Sequence, residues 1–249
     1  MNLFYKIKRV FANQLVQKRI PINLSHAIVS FCFDDIPDSA ITNGARILNK
    51  YGYAGTYYVC MGLSDNHNSN KPYFDHSQLK QLVENGAELA CHTSTHIKLY
   101  KSGKKEILDN LKQNQEQINK LIPGYKFKNF SYPSGQQTFR SKMILKKEYQ
   151  SARGVKHGMN VKEMDVYNLY ANELRTHFAL PEVFALIDKA IEQKAWIIFY
   201  THDVENNPSD VGCSPEYFEK VVKYCADKEI EVSTVEKAIA KISMNANPN

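Results

Sequence analysis

The chain has little of what would organise a small secreted or disulfide-built protein. It holds five cysteines, Cys32, Cys60, Cys91, Cys213 and Cys225, an odd number with no Cys-x-x-Cys spacing. That argues against a disulfide framework as its organising principle. Cys32 and Cys91 fall within apolar runs, where a free thiol packs as a small apolar group, so a reducing compartment is expected. Also missing is an uninterrupted apolar stretch long enough for a membrane span or a secretory leader, and a cytoplasmic location is the expectation. No Pro/Gly/Ser-rich linker and no repeat divides the 249 residues, and with 43% hydrophobic residues one large core is affordable. The net charge of +6 is modest and spread over many lysines. It suits an anionic glycan or membrane surface, and nucleic acid is not an expected partner.

What is present alternates between short apolar runs and helical periodicity. Strands are expected at 27–33, 55–59, 87–91, 127–131, 151–154, 173–178, 196–201 and 231–233. Helices are expected at 41–51, 77–85, 104–122, 141–149, 181–193, 215–227 and from Val235 onward. Asp75 or Ser77 reads as a helix cap, Gly86 as a stop and Pro181 as a first-turn residue. Strand–helix alternation with apolar strands predicts a parallel sheet in an α/β fold. The catalytic unit is expected over residues 26–243, with an N-terminal amphipathic segment at 1–25 and a tail at 244–249. In that first segment Leu3, Phe4, Ile7, Val10, Phe11 and Leu15 recur at helical spacing among Lys6, Lys8, Arg9, Lys18 and Arg19. Such a helix either packs on the barrel or lies on an anionic membrane, which would make the protein peripheral to its inner face.

Polar clusters close several of these strands: Phe33-Asp34-Asp35, His92-Thr93-Ser94-Thr95-His96, Tyr132-Pro133-Ser134-Gly135 and Thr201-His202-Asp203. Taken singly they are weak. An Asp-Asp pair is more often a turn or a cap, His-x-x-x-His occurs on any helix face, and a lone histidine is usually half-buried structure. Taken in order, at the ends of strands where parallel α/β scaffolds build their sites, they carry the needs of a metal-assisted hydrolase. Asp35, His92 and His96 offer one oxygen and two nitrogen ligands, a set suited to Zn2+ with an open position, although cobalt or nickel would also accept it. Asp34, turned by the strand end toward the same centre, is the natural general base.

These motifs resemble those of the polysaccharide deacetylases, the metal-dependent carbohydrate esterases of family 4. The family's Thr-Phe-Asp-Asp is here Cys32-Phe33-Asp34-Asp35, its His-Ser/Thr-x-x-His is His92 to His96, its Arg-x-Pro-Tyr-Gly survives as Pro133-Ser134-Gly135, and its Leu-x-His is Tyr200-Thr201-His202. The resemblance spans roughly residues 27–235. It implies a distorted (β/α) barrel, Asp34 as base, Asp35, His92 and His96 as metal ligands, and His202 as the acid that protonates the leaving amine. It also implies that the Ser134 backbone N–H helps hold the oxyanion, a task the amide performs whatever the side chain.

Two positions depart from the family pattern. Ser131 stands where the family's third motif opens with the arginine that orients the base. A branch reading Ala-Tyr-Pro-Tyr-Gly, with a later Leu-Pro-Arg, resembles Phe130-Ser131-Tyr132-Pro133-Ser134-Gly135 followed by Gly158-Met159-Asn160 and Glu173-Leu174-Arg175. Arg175 is therefore the expected substitute, with Arg153 second; the bland reading of either is a surface ion pair. The Asp-Trp motif that partners the acid histidine is missing, and Asp165 is a poorly spaced replacement. The functional expectation is an N-deacetylase acting on an N-acetylated sugar or glycan in surface-glycan biosynthesis. The alternatives are a hydrolase of a non-sugar amide or cyclic imide on the same scaffold, and a non-catalytic glycan-binding relative.

Overall fold

The apolar runs become the staves of a curled parallel sheet. The computed structural model describes residues 12, 14, 18–64 and 72–246. Most of the expected N-terminal amphipathic segment lies outside these residues. The principal strands are β2 (Ile28–Asp34), β3 (Thr56–Val59), β4 (Glu88–Cys91), β5 (Asn129–Ser131), β6 (Ser151–Arg153), β8 (Asn172–Glu173) and β9 (Trp196–Thr201). Their order is β6-β5-β4-β3-β2-β9-β8, and every pairing is parallel. A further strand, β10 (Glu231–Val232), pairs with the beginning of β2. The segment before β8 bonds back to β6 through Leu169 N–H to Ala152 O, 3.1 Å, and Gly154 N–H to Leu169 O, 3.0 Å. Together these features make the distorted (β/α) barrel the motifs imply.

Helices cover the outside. Among the described residues the principal ones are α1 (Arg46–Lys50, entered through a wide π-type turn at Ala40–Ala45), α2 (His76–Glu84), α3 (Lys104–Leu121), α4 (Phe139–Glu148), α5 (Leu180–Glu192), α6 (Pro215–Asp227) and α7 (Val235–Ala246). Asp75 caps α2 as its sequence predicts, accepting from Gln78 N–H while the Gln78 side chain accepts from Asp75 N–H.

β2 and β9 form the axis of the core. Both are buried along their whole length and run in register from Ile28 beside Trp196 to Phe33 beside Thr201. Strands covered on both faces need apolar residues throughout, which explains their unbroken hydrophobic runs. Phe33 stacks on Tyr57 at 4.8 Å and meets Phe218 of α6 edge-on at 5.6 Å. Such contacts add about 0.5–1.5 kcal/mol each beyond area burial.

Two expectations change. The strand expected over 173–178 ends at Glu173, because a turn closes from Phe178 N–H to Arg175 O, 3.0 Å, just ahead of α5. A small antiparallel pair, β1 (Arg19–Pro21) with β7 (Glu163–Asp165), was not expected. Its three-residue strands are too short to display a period.

Candidate active site

The polar clusters converge at the C-terminal ends of the strands. β2 delivers Asp34, and the chain then turns through left-handed residues Asp35 (φ 59°) and Ile36 (φ 54°), closed by Ile36 N–H to Asp34 O at 2.7 Å. Aspartate tolerates that region, whereas a β-branched residue in it is strained. The tight turn lets adjacent carboxylates serve one site.

The two histidines are not on a helix. Thr93 (φ 66°) and His96 (φ 50°) fold the loop after β4 back on itself and bring the imidazole rings to 5.1 Å. Gly62 holds this loop down with its N–H on Ser94 O, 2.7 Å away; a Cβ there would lie 2.6 Å from that oxygen. His92 Nε2 and His96 Nε2 stand 3.8 and 3.9 Å from Asp35 Oδ1, and one ligand atom from each residue falls within 4.8 Å of the others. Donors of a tetrahedral zinc site stand about 3.4 Å apart at ordinary bond lengths, so the cluster is close to coordination distance. Nδ1 of His92 is engaged by Ser131, at 2.9 Å from its carbonyl and 2.5 Å from its Oγ, which leaves Nε2 as the ligand atom. Burial pushes the His92 pKa down to about 4, keeping the imidazole neutral and its lone pair available. The donor set and its spacing fit a divalent ion.

Asp34 is gripped by Arg153. The guanidinium NH2 lies 2.5 and 2.6 Å from the two carboxylate oxygens, and both side chains are buried. Tyr58 and Tyr200 flank the guanidinium at 4.8 and 4.6 Å. Burial pushes the Asp34 carboxyl up, but Arg153, with His92 and His202, outweighs it and holds the group below the usual carboxylate range. Asp34 is thus ionised at neutral pH.

The expectation for Arg175 is corrected by this geometry. Arg175 pairs with Glu173 at 2.6 Å, its neighbour at the end of β8, while the second candidate, Arg153, reaches the base. Asp165 is likewise elsewhere: it lies on β7 and binds buried Lys142 at 2.7 Å. His202 follows β9, its Nδ1 3.3 Å from Val211 O, and its ring contributes to the field at Asp34. Ser134 occupies a left-handed turn (φ 55°) one residue after Pro133, on the loop that β5 extends toward His92. Asp203 serves the loop after β9, accepting from Ser209 N–H at 2.7 Å.

Several neighbours carried no signal in the sequence. The Cys60 thiol lies 3.5 Å from Asp35 Oδ1 and 3.0 Å from His92 O, so it supports the ligand shell from beneath. Half-buried Tyr73 is bridged to Pro37, two residues after Asp35, and burial raises its pKa. Tyr58 and Tyr200 alternate with core residues on their strands and are indistinguishable from them by pattern.

A profile of the polysaccharide deacetylase family matches residues 22–150, just over half the chain. The chain belongs to the polysaccharide deacetylase family. Solved structures agree on the fold of this deacetylase-family hydrolase. A family 4 acetyl xylan esterase from Clostridium thermocellum, in complex with a cobalt ion, superposes with a TM-score of 0.62 at 18% identity over 86% of this chain and 91% of that one. The Xyl-CE4 domain of a multidomain xylanase from the hindgut metagenome of Trinervitermes trinervoides gives 0.58 at 17% identity over 90% and 94%. The peptidoglycan deacetylase PdaC from Bacillus subtilis gives 0.55 at 18% over 90% and 96%. No curated protein sequence matches the chain significantly.

Proposed function

We propose that the protein is a metal-dependent N-deacetylase that hydrolyses the acetamide of an N-acetylated sugar. The observation that carries this reading is the Asp35–His92–His96 cluster standing beside an ionised, arginine-held Asp34. A bound ion would supply Lewis acidity toward the acetyl carbonyl and the attacking water. Asp34 takes the proton from that water as its oxygen adds to the carbonyl carbon. The Ser134 N–H donates to the oxyanion. His202, held through Nδ1 on Val211 O, gives a proton from Nε2 to the nitrogen as the C–N bond breaks. The products are acetate and a free amine.

The nitrogen-and-oxygen donor set supports zinc as the resident ion, and the cobalt held by the acetyl xylan esterase is consistent with the same ligand chemistry. Five unpaired, buried cysteines support a cytoplasmic setting, and with it a role in surface-glycan biosynthesis rather than in trimming a finished wall. The test is acetate release from a panel of N-acetylated sugars by metal-loaded and chelator-stripped protein. Metal-dependent release from at least one sugar supports the reading; release from non-sugar amides alone would replace it.

A further inference from the structure

Apart from the loop following β3, which carries Asp65, Lys71 and Asp75, the loops around the catalytic mouth are sorted by charge. The loops following β4, β5, β6 and β8 (residues 92–103, 132–138, 154–158 and 174–179) contain no aspartate or glutamate, yet supply Lys98, Lys101, Lys156 and Arg175. The loops following β2 and β9 (residues 35–39 and 202–214) contain Asp35, Asp38, Asp203, Glu205 and Asp210 and no lysine or arginine. Strand order makes each group contiguous, because β6 meets β8 through Leu169 and β2 pairs with β9. Lys156 turns away to the Tyr170 hydroxyl and Arg175 is paired with Glu173. Among the described residues, the cations of this arc without an ion-pair partner therefore gather at the β4–β5 side: Lys98, and Lys101 over the Tyr100 ring at 5.8 Å, with exposed Lys104 and Arg140 opening α3 and α4.

Apolar surface follows the same arc. Among the described residues, the exposed large hydrophobics Phe139 (52% exposed), Val155 (42%) and Phe178 (37%) all lie on it; Met244, on α7, does not. Val155 is fixed against the mouth by Gly135, where an added Cβ would come within 2.2 Å of its Cγ2. Between α3 and α4 an open groove of about 540 Å³ is lined by Leu108, Phe139, Met143 and Ile144, with Lys104, Arg140 and Lys147 along its edges against a single acid, Glu148. Protruding apolar side chains within a cationic field are the requirements of interfacial lipid binding: the apolar tips enter the headgroup boundary while the cations meet acidic lipid. A hydrated anionic glycan would answer the lysines but leave Leu108, Met143 and Val155 uncovered, since none of them offers a flat face for a sugar ring.

We propose that the β4–β5–β6–β8 arc of the rim docks on an anionic lipid bilayer, with Phe139 and Phe178 entering the interface and Lys101, Lys104 and Arg140 facing acidic headgroups. His96 and Ser134 stand on loops of this arc, so the catalytic mouth opens toward the membrane. On the deacetylase reading above, the substrate sugar is then presented at headgroup depth, as on a lipid-linked carrier.

Co-sedimentation with phosphatidylcholine vesicles, with and without 30% phosphatidylglycerol, tests the docking. The wild-type chain is expected to pellet only with the anionic vesicles and to be released by about 0.5 M salt. The triple change Lys101→Glu, Lys104→Glu, Arg140→Glu is expected to weaken binding by about tenfold or more, each basic group near the surface contributing on the order of 1 kcal/mol. Phe139→Ser with Phe178→Ser should weaken binding while leaving the charge unchanged. Lys126→Glu with Lys237→Glu reverses charge at the barrel's opposite end and should bind nearly as wild type. The proposal is overturned if wild-type protein ignores anionic vesicles, if the Lys126/Lys237 variant loses binding as fully as the rim variant, or if the chain binds an acidic polysaccharide instead of vesicles. Acetate release from a soluble sugar, measured in parallel, is expected to survive all three variants. Docking without any such release would sink the deacetylase reading and leave the docking intact.

Discussion

Ser131 and Arg153 are direct neighbours in register across β5 and β6, and between them they hold both halves of the site. Ser131 fixes the His92 ring, and Arg153 fixes the Asp34 carboxylate. The guanidinium that the motif resemblance leads one to expect at the β5 end comes instead from one strand over, at the same level. An arginine is long enough to reach the base from there, and the small serine leaves room for His92 to hydrogen-bond.

Arg153 should therefore be the positioning residue for the base. Arg153→Ala leaves Asp34 buried without its partner, which costs about 3–5 kcal/mol of stability. It should also raise the Asp34 pKa, so that the acidic limb of the kcat/KM profile moves to higher pH. Arg153→Lys should restore the limb only in part, since lysine lacks the planar fork. Arg175→Ala removes the Glu173 partner instead and should leave the acidic limb in place. Equilibrium unfolding and pH–rate profiles of the three variants check both halves of this expectation.

Metal affinity should follow the ligand shell. Asp35→Ala, His92→Ala and His96→Ala should each reduce binding severely, because a three-ligand site loses its geometry with any one of them. Ser131→Ala should reduce it by less than about tenfold, the lower end for an outer-shell loss, because the Ser131 carbonyl still accepts from Nδ1 at 2.9 Å. Titration calorimetry with Zn2+ at fixed pH reads both effects.

At the other end of the barrel, Glu88 makes stability depend on pH. It is buried beneath α7 and accepts from Thr56 Oγ1, Asn129 Nδ2 and Glu236 N–H. Burial raises its pKa from 4.5 to about 7. The folded protein therefore holds a proton that the unfolded chain releases above pH 4.5. This contribution to stability is full below that pH and falls as pH rises through 7, by about 3 kcal/mol in all. In Glu88→Gln that part of the slope should vanish, so urea midpoints at pH 5 and pH 7.5 should differ less than in wild type.

The legibility of the chain in its sequence divides along physical lines. Trp196–Thr201 and Pro215–Asp227 have the bounds their patterns predict, because a fully apolar run and a proline-opened amphipathic helix mark themselves. Asp35, His92 and His96 are brought together as expected, but by left-handed loop residues that spacing alone does not reveal. The Arg153–Asp34 pair is hard to read from the sequence, because a basic residue at a strand end looks the same whether it turns inward or out. Cys60, Tyr58 and Tyr200 were invisible for a related reason: on buried strands every residue reads as core, and only the fold shows which of them face the site.

The central claim is that Asp34 moves the proton while Asp35, His92 and His96 hold the ion, and one variant separates these roles. Asp34→Asn, loaded with Zn2+, should retain about one ion per chain by elemental analysis yet release acetate from the best N-acetylated sugar about 10²–10⁴-fold more slowly than wild type. Wild-type turnover in that variant, or loss of the ion together with the activity, would contradict the account.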